Sequence, residues 1–214
     1  TIMRQGQANA GDLPAGFCAV CIREEAFRAA YKGLIDSIRS IRNDKRDWAD
    51  LRLLQEMCRY EPYGVSRLGD EATAAAINNQ KLHAYSQQMM AASRLELFYC
   101  GSADCARVEG ALDRALAALP RERVAEPAVA ERVGAPETVR EITETMDVTQ
   151  GKLSMGFRCG SDDVPAMLLA NLIFGGSSNS KLFLNVREKL SLCYYASSTY
   201  VRSKGILTVS SGIE

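Results

Sequence analysis

Arg187 and Tyr194 stand seven residues apart in the run Ser180-Lys-Leu-Phe-Leu-Asn-Val-Arg-Glu-Lys-Leu-Ser-Leu-Cys-Tyr-Tyr195, where a helix should give way to a strand. A corner of that kind can aim a guanidinium and a phenol at one point. Both groups donate hydrogen bonds, which suits the carbonyls of an extended peptide or a developing oxyanion. A plainer reading pairs Arg187 with Glu188 or a helix carboxyl end and packs Tyr194 in the core. Spacing alone leaves both open.

Three other constellations carry less. The loop Gly175-Gly-Ser-Ser-Asn-Ser180 followed by Lys181 resembles a phosphate loop only in part. A Walker A loop needs Gly before the Lys and Ser or Thr after it; Ser180 and Leu182 occupy those places, so the expectation is an interhelix loop. Cys18-Ala-Val-Cys21, with Cys100 and Cys105, could supply four thiolates to a structural zinc. No second CxxC or glycine knuckle supports it, and ordinary thiols are expected. The single histidine, His83, cannot furnish the two or three imidazoles of a catalytic zinc. It has no acidic residue within a turn on either side, and reads as a solvated or capping residue of a polar helix face.

The elements around these residues follow from periodicity. Phe27, Tyr31, Leu34, Ile38 and Ile41 recur at three- and four-residue steps, predicting an amphipathic helix over 24–42. Asn43-Asp44 interrupts it, and Trp48, Leu51, Leu54 and Met57-Cys58 mark a second helix. Glu61-Pro-Tyr-Gly64 is a loop by its Pro and Gly. Helices are expected over 70–78 and 79–92, then a strand over Leu95–Cys100. A further helix is capped by Asp104, with Val108, Leu112, Ala115, Leu116 and Leu119 on its apolar face.

Residues 120–137 are rich in Pro, Ala, Arg and Glu without an apolar period, which marks a linker. Beyond it come strands over 139–146 and 151–159, and a helix over 162–174 with Met167, Leu168, Leu172 and Phe174 to bury. A helix over 181–190 follows, then strands over 192–201 and 205–211. The expectation is an α+β fold, with mixed or antiparallel sheets and helices packed on one face. Its parts are 1–122, a linker at 123–137, and 138–214.

Composition narrows the function classes. Lys plus Arg and Asp plus Glu balance at 26 each, with no basic stripe, so nucleic acid and anionic membranes are not expected partners. No apolar run approaches the ~20 residues of a membrane span. The opening Thr-Ile-Met-Arg-Gln-Gly has none of the basic-then-apolar order of a secretory signal. Seven cysteines, an odd and scattered set, fit reduced thiols in a cytoplasmic protein. The last residues follow directly on an apparent strand, and the chain is expected to be an internal piece of a longer protein.

The run Phe174 to Tyr195 resembles the M16 peptidases, the family of insulysin, pitrilysin and the mitochondrial processing peptidase. It carries the Gly-Gly, the Ser-x-Leu and the (Leu/Val)-Arg-Glu-Lys-x-x-Leu-x-Tyr of that family's second half. Pro62 to Gly69 resembles the family's P-x-G-x-x-x-x-G loop, and Leu95 to Asp104 a strand and turn beyond it. The resemblance implies parts of two successive M16-type domains, the rear of one and the front of the next. It implies that Arg187 and Tyr194 bind peptide substrate, with Gly175 and Gly176 permitting close approach. The family's zinc motif, H-x-x-E-H, does not occur, and its downstream Glu should fall where Asp36, Ser37 and Ile38 stand. No catalytic residue, metal ligand or cofactor is therefore expected in this chain, zinc being left to the whole protein or to a partner. What is implied is a catalytically degenerate member, most like the non-catalytic bacterial ones, working with an M16-like partner half. A non-proteolytic scaffold subunit is the alternative.

Overall fold

The computed structural model of the chain describes residues 22–117, 120–124 and 133–213. Two compact units are present, and neither follows chain order. One comprises Thr1–Gly33 and Ala72–Val129, the other Leu34–Glu71 and Ala130–Glu214.

In the first unit the helices are α1, Glu24–Asn43, in its N-terminal part, then α3, Glu71–Ala75, α4, Asn79–Ala92, and α5, Cys105–Ala117. On α1 the Phe27 and Tyr31 rings lie 6.0 Å apart, as i,i+4 spacing dictates. Asn78 caps α4, its side chain accepting from the Lys81 N–H at 2.8 Å. Asp104 caps α5 as expected, its Oδ1 accepting from the Arg107 N–H at 3.1 Å. The residues buried here are alanines: Ala74, Ala91, Ala111 and Ala115. Small side chains let backbones approach closely but bury little apolar area each.

Leu95–Cys100 is not a strand. It runs beside α5 without hydrogen-bonded strand partners among the described residues, and Phe98 is 92% exposed. A strand exists only when a neighbour pairs with it, which composition cannot supply. Leu97 and Tyr99 instead wall an open apolar pocket of about 370 Å³ with Val108, Leu112 and Leu116 of α5.

The second unit holds α2, Lys45–Met57, and a three-stranded antiparallel sheet: β1, Gly151–Arg158, β2, Cys193–Val201, and β3, Ile206–Ile213. The strand order is β1-β3-β2, so both β1 and β2 are edges. Asp44 caps α2 through the N–H groups of Arg46 and Asp47. One face of β1 rests on α2. Ser154 donates to Asp50 at 2.5 Å, and Arg158 donates to the Met57 carbonyl at 2.8 Å. Gly156 lies between them, where a Cβ would stand 2.4 Å from the Met57 sulfur and push that flexible side chain aside.

Residues 139–146, expected as a strand, form an irregular segment tied to α2 by side chains. Trp48 and Arg52 donate to the Glu144 carboxylate, and Arg140 donates to Glu56. With its anchoring done by side chains, the backbone joins no ladder among the described residues.

Helix α6, Val164–Phe174, starts at the Asp163 cap. None of its residues is buried: Leu168, Leu169, Leu172 and Ile173 are each about half exposed. Met167, Leu168, Leu172 and Phe174 were expected to be buried; Met167 and Phe174 are half-buried, while Leu168 and Leu172 stay exposed. The helix expected over 181–190 is present as a π-helix, Leu182–Lys189. The α+β class with an antiparallel sheet stands as expected.

Candidate functional site

The site lies where the π-helix turns into β2. Three departures from regular geometry occur within Leu182–Tyr195. The first is the π-helix itself, whose wider turn lets the Leu190 N–H reach the Asn185 carbonyl at 3.0 Å. The second is Ser191, at φ 52°, the one described non-glycine residue with positive φ. The third is a β-bulge: Cys193 pairs with Ile213, yet Tyr195 pairs with Gly212, so Tyr194 is an extra residue in the ladder. π-Turns, left-handed non-glycine residues and bulges each cost stability and cluster where a side chain must be aimed.

Their effect is on Tyr194. As the bulged residue it leaves the sheet pattern and is 59% exposed, while Tyr195 lies against Gly212 and under the Arg46 guanidinium at 4.3 Å. Tyr194 is thus not the core residue of the plainer reading. Arg187 is held on three sides. Its Nε donates to the Tyr194 carbonyl at 2.9 Å, its Nη1 donates to Glu188 at 2.5 Å, and its Cζ lies 4.7 Å from the Phe183 ring centroid. Arg187 thus pairs with Glu188, as in the plainer reading, and also bonds the main-chain carbonyl of Tyr194. Arg187, Glu188, Ser191, Cys193 and Tyr194 line an open pocket of about 400 Å³.

The glycines contribute through packing. Gly175 accepts from the Ser198 N–H at 3.0 Å, and a Cβ on it would stand 2.7 Å from the Ser198 nitrogen. At Gly176 a Cβ would meet the Asn171 side chain at 2.8 Å. Ser198 in turn donates to Asn171 Oδ1 at 2.8 Å. The loop 175–180 is thereby pinned to β2, and fully buried Ser180 accepts from the Phe183 N–H at the start of the π-helix. That is the role of the segment whose composition resembles a phosphate loop.

Asp36 stands exposed on α1, and His83 is half-buried on α4. Among the described residues no three His, Cys, Asp or Glu side chains come together as a metal-binding group. Cys18 and Cys21 lie outside the described residues, while Cys100 and Cys105 are exposed free thiols.

The sequence pointed to Arg187, Tyr194 and the glycines for this corner and not to Phe183, Ser191 or Cys193, which stand beside them. Phe183 had a signal, four residues before Arg187 on one helical face. Ser191 had none, since its type does not announce a positive φ.

Residues 76–214 match the family described as "Peptidase M16 inactive domain". The chain belongs to the M16 peptidase family. It is 36% identical over 201 residues to the "Probable inactive metalloprotease YmfF" of Bacillus subtilis, covering 89% of this chain and 46% of that protein. Among solved structures, a conserved protein from Enterococcus faecalis V583 superposes with a TM-score of 0.82 at 28% identity, over 99% of this chain and 52% of that one. The peptidase M16 inactive domain from Pseudomonas fluorescens superposes at 0.69, with 18% identity, over 94% of this chain and 50% of that one, a likeness of fold. The chain spans about half the length of the relatives it matches. No helix among the described residues is long and apolar enough to cross a membrane.

Proposed function

We propose that this chain is the peptide-holding part of an M16 protein without a zinc site of its own, acting in the cytoplasm beside a homologous half that carries the catalytic machinery. The observation that carries the reading is the bulge at Tyr194 with Arg187 bound to its carbonyl. It sets a phenol outward on β2, an edge strand. An extended peptide laid along such an edge gains main-chain hydrogen bonds, and donors beside the edge fix its register. Tyr194 and Arg187 supply those donors. Gly175 and Gly176 let their loop lie against β2 next to the site. Zinc belongs, in this reading, to the companion half.

The test is a peptidase assay and a metal analysis on the longer protein that contains this chain, purified without added zinc. The expected result is neither zinc nor cleavage of an unstructured peptide until a catalytic homologue is added. About one zinc per chain, with chelator-sensitive cleavage by the protein alone, would overturn the degenerate-site reading.

A scaffold role is the second reading, favoured by the apolar side chains that α6 leaves at the surface. It predicts assembly with other subunits and no peptide affinity at the Tyr194 corner.

A further inference from the structure

The two faces of the three-stranded sheet are covered unequally. On β1, Ser154 and Arg158 turn toward α2, where they donate to Asp50 and to the Met57 carbonyl. Leu153, Met155 and Phe157 alternate with them and so belong to the opposite face. They are 42%, 37% and 46% exposed. Part of that face is already covered. Met155 stands opposite Val209, and Val209 opposite Ser198, and directly opposed residues share a face. Ser198 donates to Asn171 of α6, and Val209 is only 2% exposed. Helix α6 therefore lies on this face at β2, while the strip along β1 is open among the described residues.

α6 itself has the composition of an interior helix. Val164–Phe174 holds no charged residue, and a helix apolar on every side belongs in a core. Its half-buried residues, Val164, Met167, Asn171 and Phe174, follow three- and four-residue steps and form the stripe that meets β2. Leu168, Leu169 and Leu172 fall on a flank beyond that stripe and stay exposed. A surface met by a transient partner is about as polar as the rest of a protein. This one is not.

The dimensions select the kind of element that fits. A helix is about 10 Å across and neighbouring strands lie about 4.8 Å apart, so one helix laid along β1 covers the open strip. A second sheet does not fit, because α6 already occupies the layer it would need. The relatives that the chain matches are about twice its length, so about half of such a protein is available to supply the helix.

We infer that the face shared by β1 and α6 is a core surface completed within one polypeptide, by an amphipathic helix from the part of the longer protein outside this chain. The inference is independent of the peptide-holding reading. It withdraws the α6 side chains from the scaffold reading, since they are then covered from within.

The test uses the longer protein that contains this chain, in two measurements. Hydroxyl-radical footprinting compares the oxidation of each side chain in the folded protein with that in urea. Met155, Phe157 and the α6 leucines should lose oxidation as completely as Ile206, which is fully buried. Photo-methionine, incorporated in place of methionine in an equal mixture of isotope-light and isotope-heavy protein, then identifies what lies on Met155. The expected product joins Met155 to a segment outside this chain, with both peptides carrying the same isotope. Oxidation of Met155 and Phe157 at the partial rate that their exposure here implies would overturn the inference. So would mixed-isotope products, which would make a second copy the occupant, or products confined to this chain's own residues.

Discussion

Arg158 of β1 forms an ion pair with Glu61, beside the Pro62–Gly64 turn, and their side chains are only 6% and 13% exposed. The same guanidinium donates to the Met57 carbonyl and to the sulfur of fully buried Cys58. A turn distant in sequence from the strand is thereby fastened to it. Removing one partner of a buried pair leaves a desolvated charge, which costs far more than an exposed pair contributes. Glu61→Ala should therefore destabilise the chain by about 3 kcal/mol, read as a lower urea midpoint. Replacing both residues with apolar ones of similar size should recover most of the loss. An unchanged midpoint for Glu61→Ala would show the pair to be water-accessible in solution.

Cys58 should behave unlike the exposed Cys100 and Cys105. Burial pushes its thiol up, the Glu61 carboxylate adds to this, and Arg158 opposes it. A raised thiol favours the protonated form in the fold. The contribution is present below the ordinary thiol range and is lost as pH rises through the folded value. Stability should thus fall on the alkaline side, and Cys58→Ala should flatten the fall. In native protein, iodoacetamide should modify exposed Cys100 and Cys105 and spare Cys58, as peptide mass mapping will show.

Glu144 gives the opposite sign. Hydrogen bonds from Arg52 and then Trp48 hold its carboxyl below the usual range. A lowered carboxyl contributes stability above its unfolded value, and that contribution is lost as pH falls through the folded one. Trp48→Phe should raise the Glu144 midpoint in a carboxyl-carbon NMR titration. A midpoint that does not move would show that the indole bond is not made in solution.

Gly175→Ala should cost about 1–3 kcal/mol of stability through overpacking, because the new methyl meets the Ser198 backbone. Gly175 has a negative φ, −155°, so no left-handed strain adds to that clash. Ser198→Ala removes only the hydroxyl contact, and combined with Gly175→Ala it should recover part of the loss in a thermal melt. Full recovery would place the clash on the hydroxyl alone.

What the sequence disclosed and what it withheld divide on whether the determining contact is local. The apolar spacing from Phe27 to Ile41, the break at Asn43-Asp44 and the cap at Asp104 are local, and the helices stand where these residues put them. β2 and β3 are legible because a turn joins them and each supplies the other's partner. Leu95–Cys100 and residues 139–146 have strand-like composition, but ladder formation depends on a neighbour, and among the described residues neither has one. At the site, the spacing of Arg187 and Tyr194 was legible. The bulge that turns Tyr194 outward was not, because it is a slip in register against β3 that no residue type marks. Nor was it visible that Gly175 and Gly176 are filled around by Ser198 and Asn171.

The most direct test of the central claim is equilibrium binding of a fluorescein-labelled unstructured peptide to this chain, by anisotropy, with and without chelator. The account predicts saturable binding that the chelator leaves unchanged and that Tyr194→Phe weakens roughly three- to tenfold, the worth of one hydrogen bond. No binding by the native chain, or binding that Tyr194→Phe leaves intact, would contradict it.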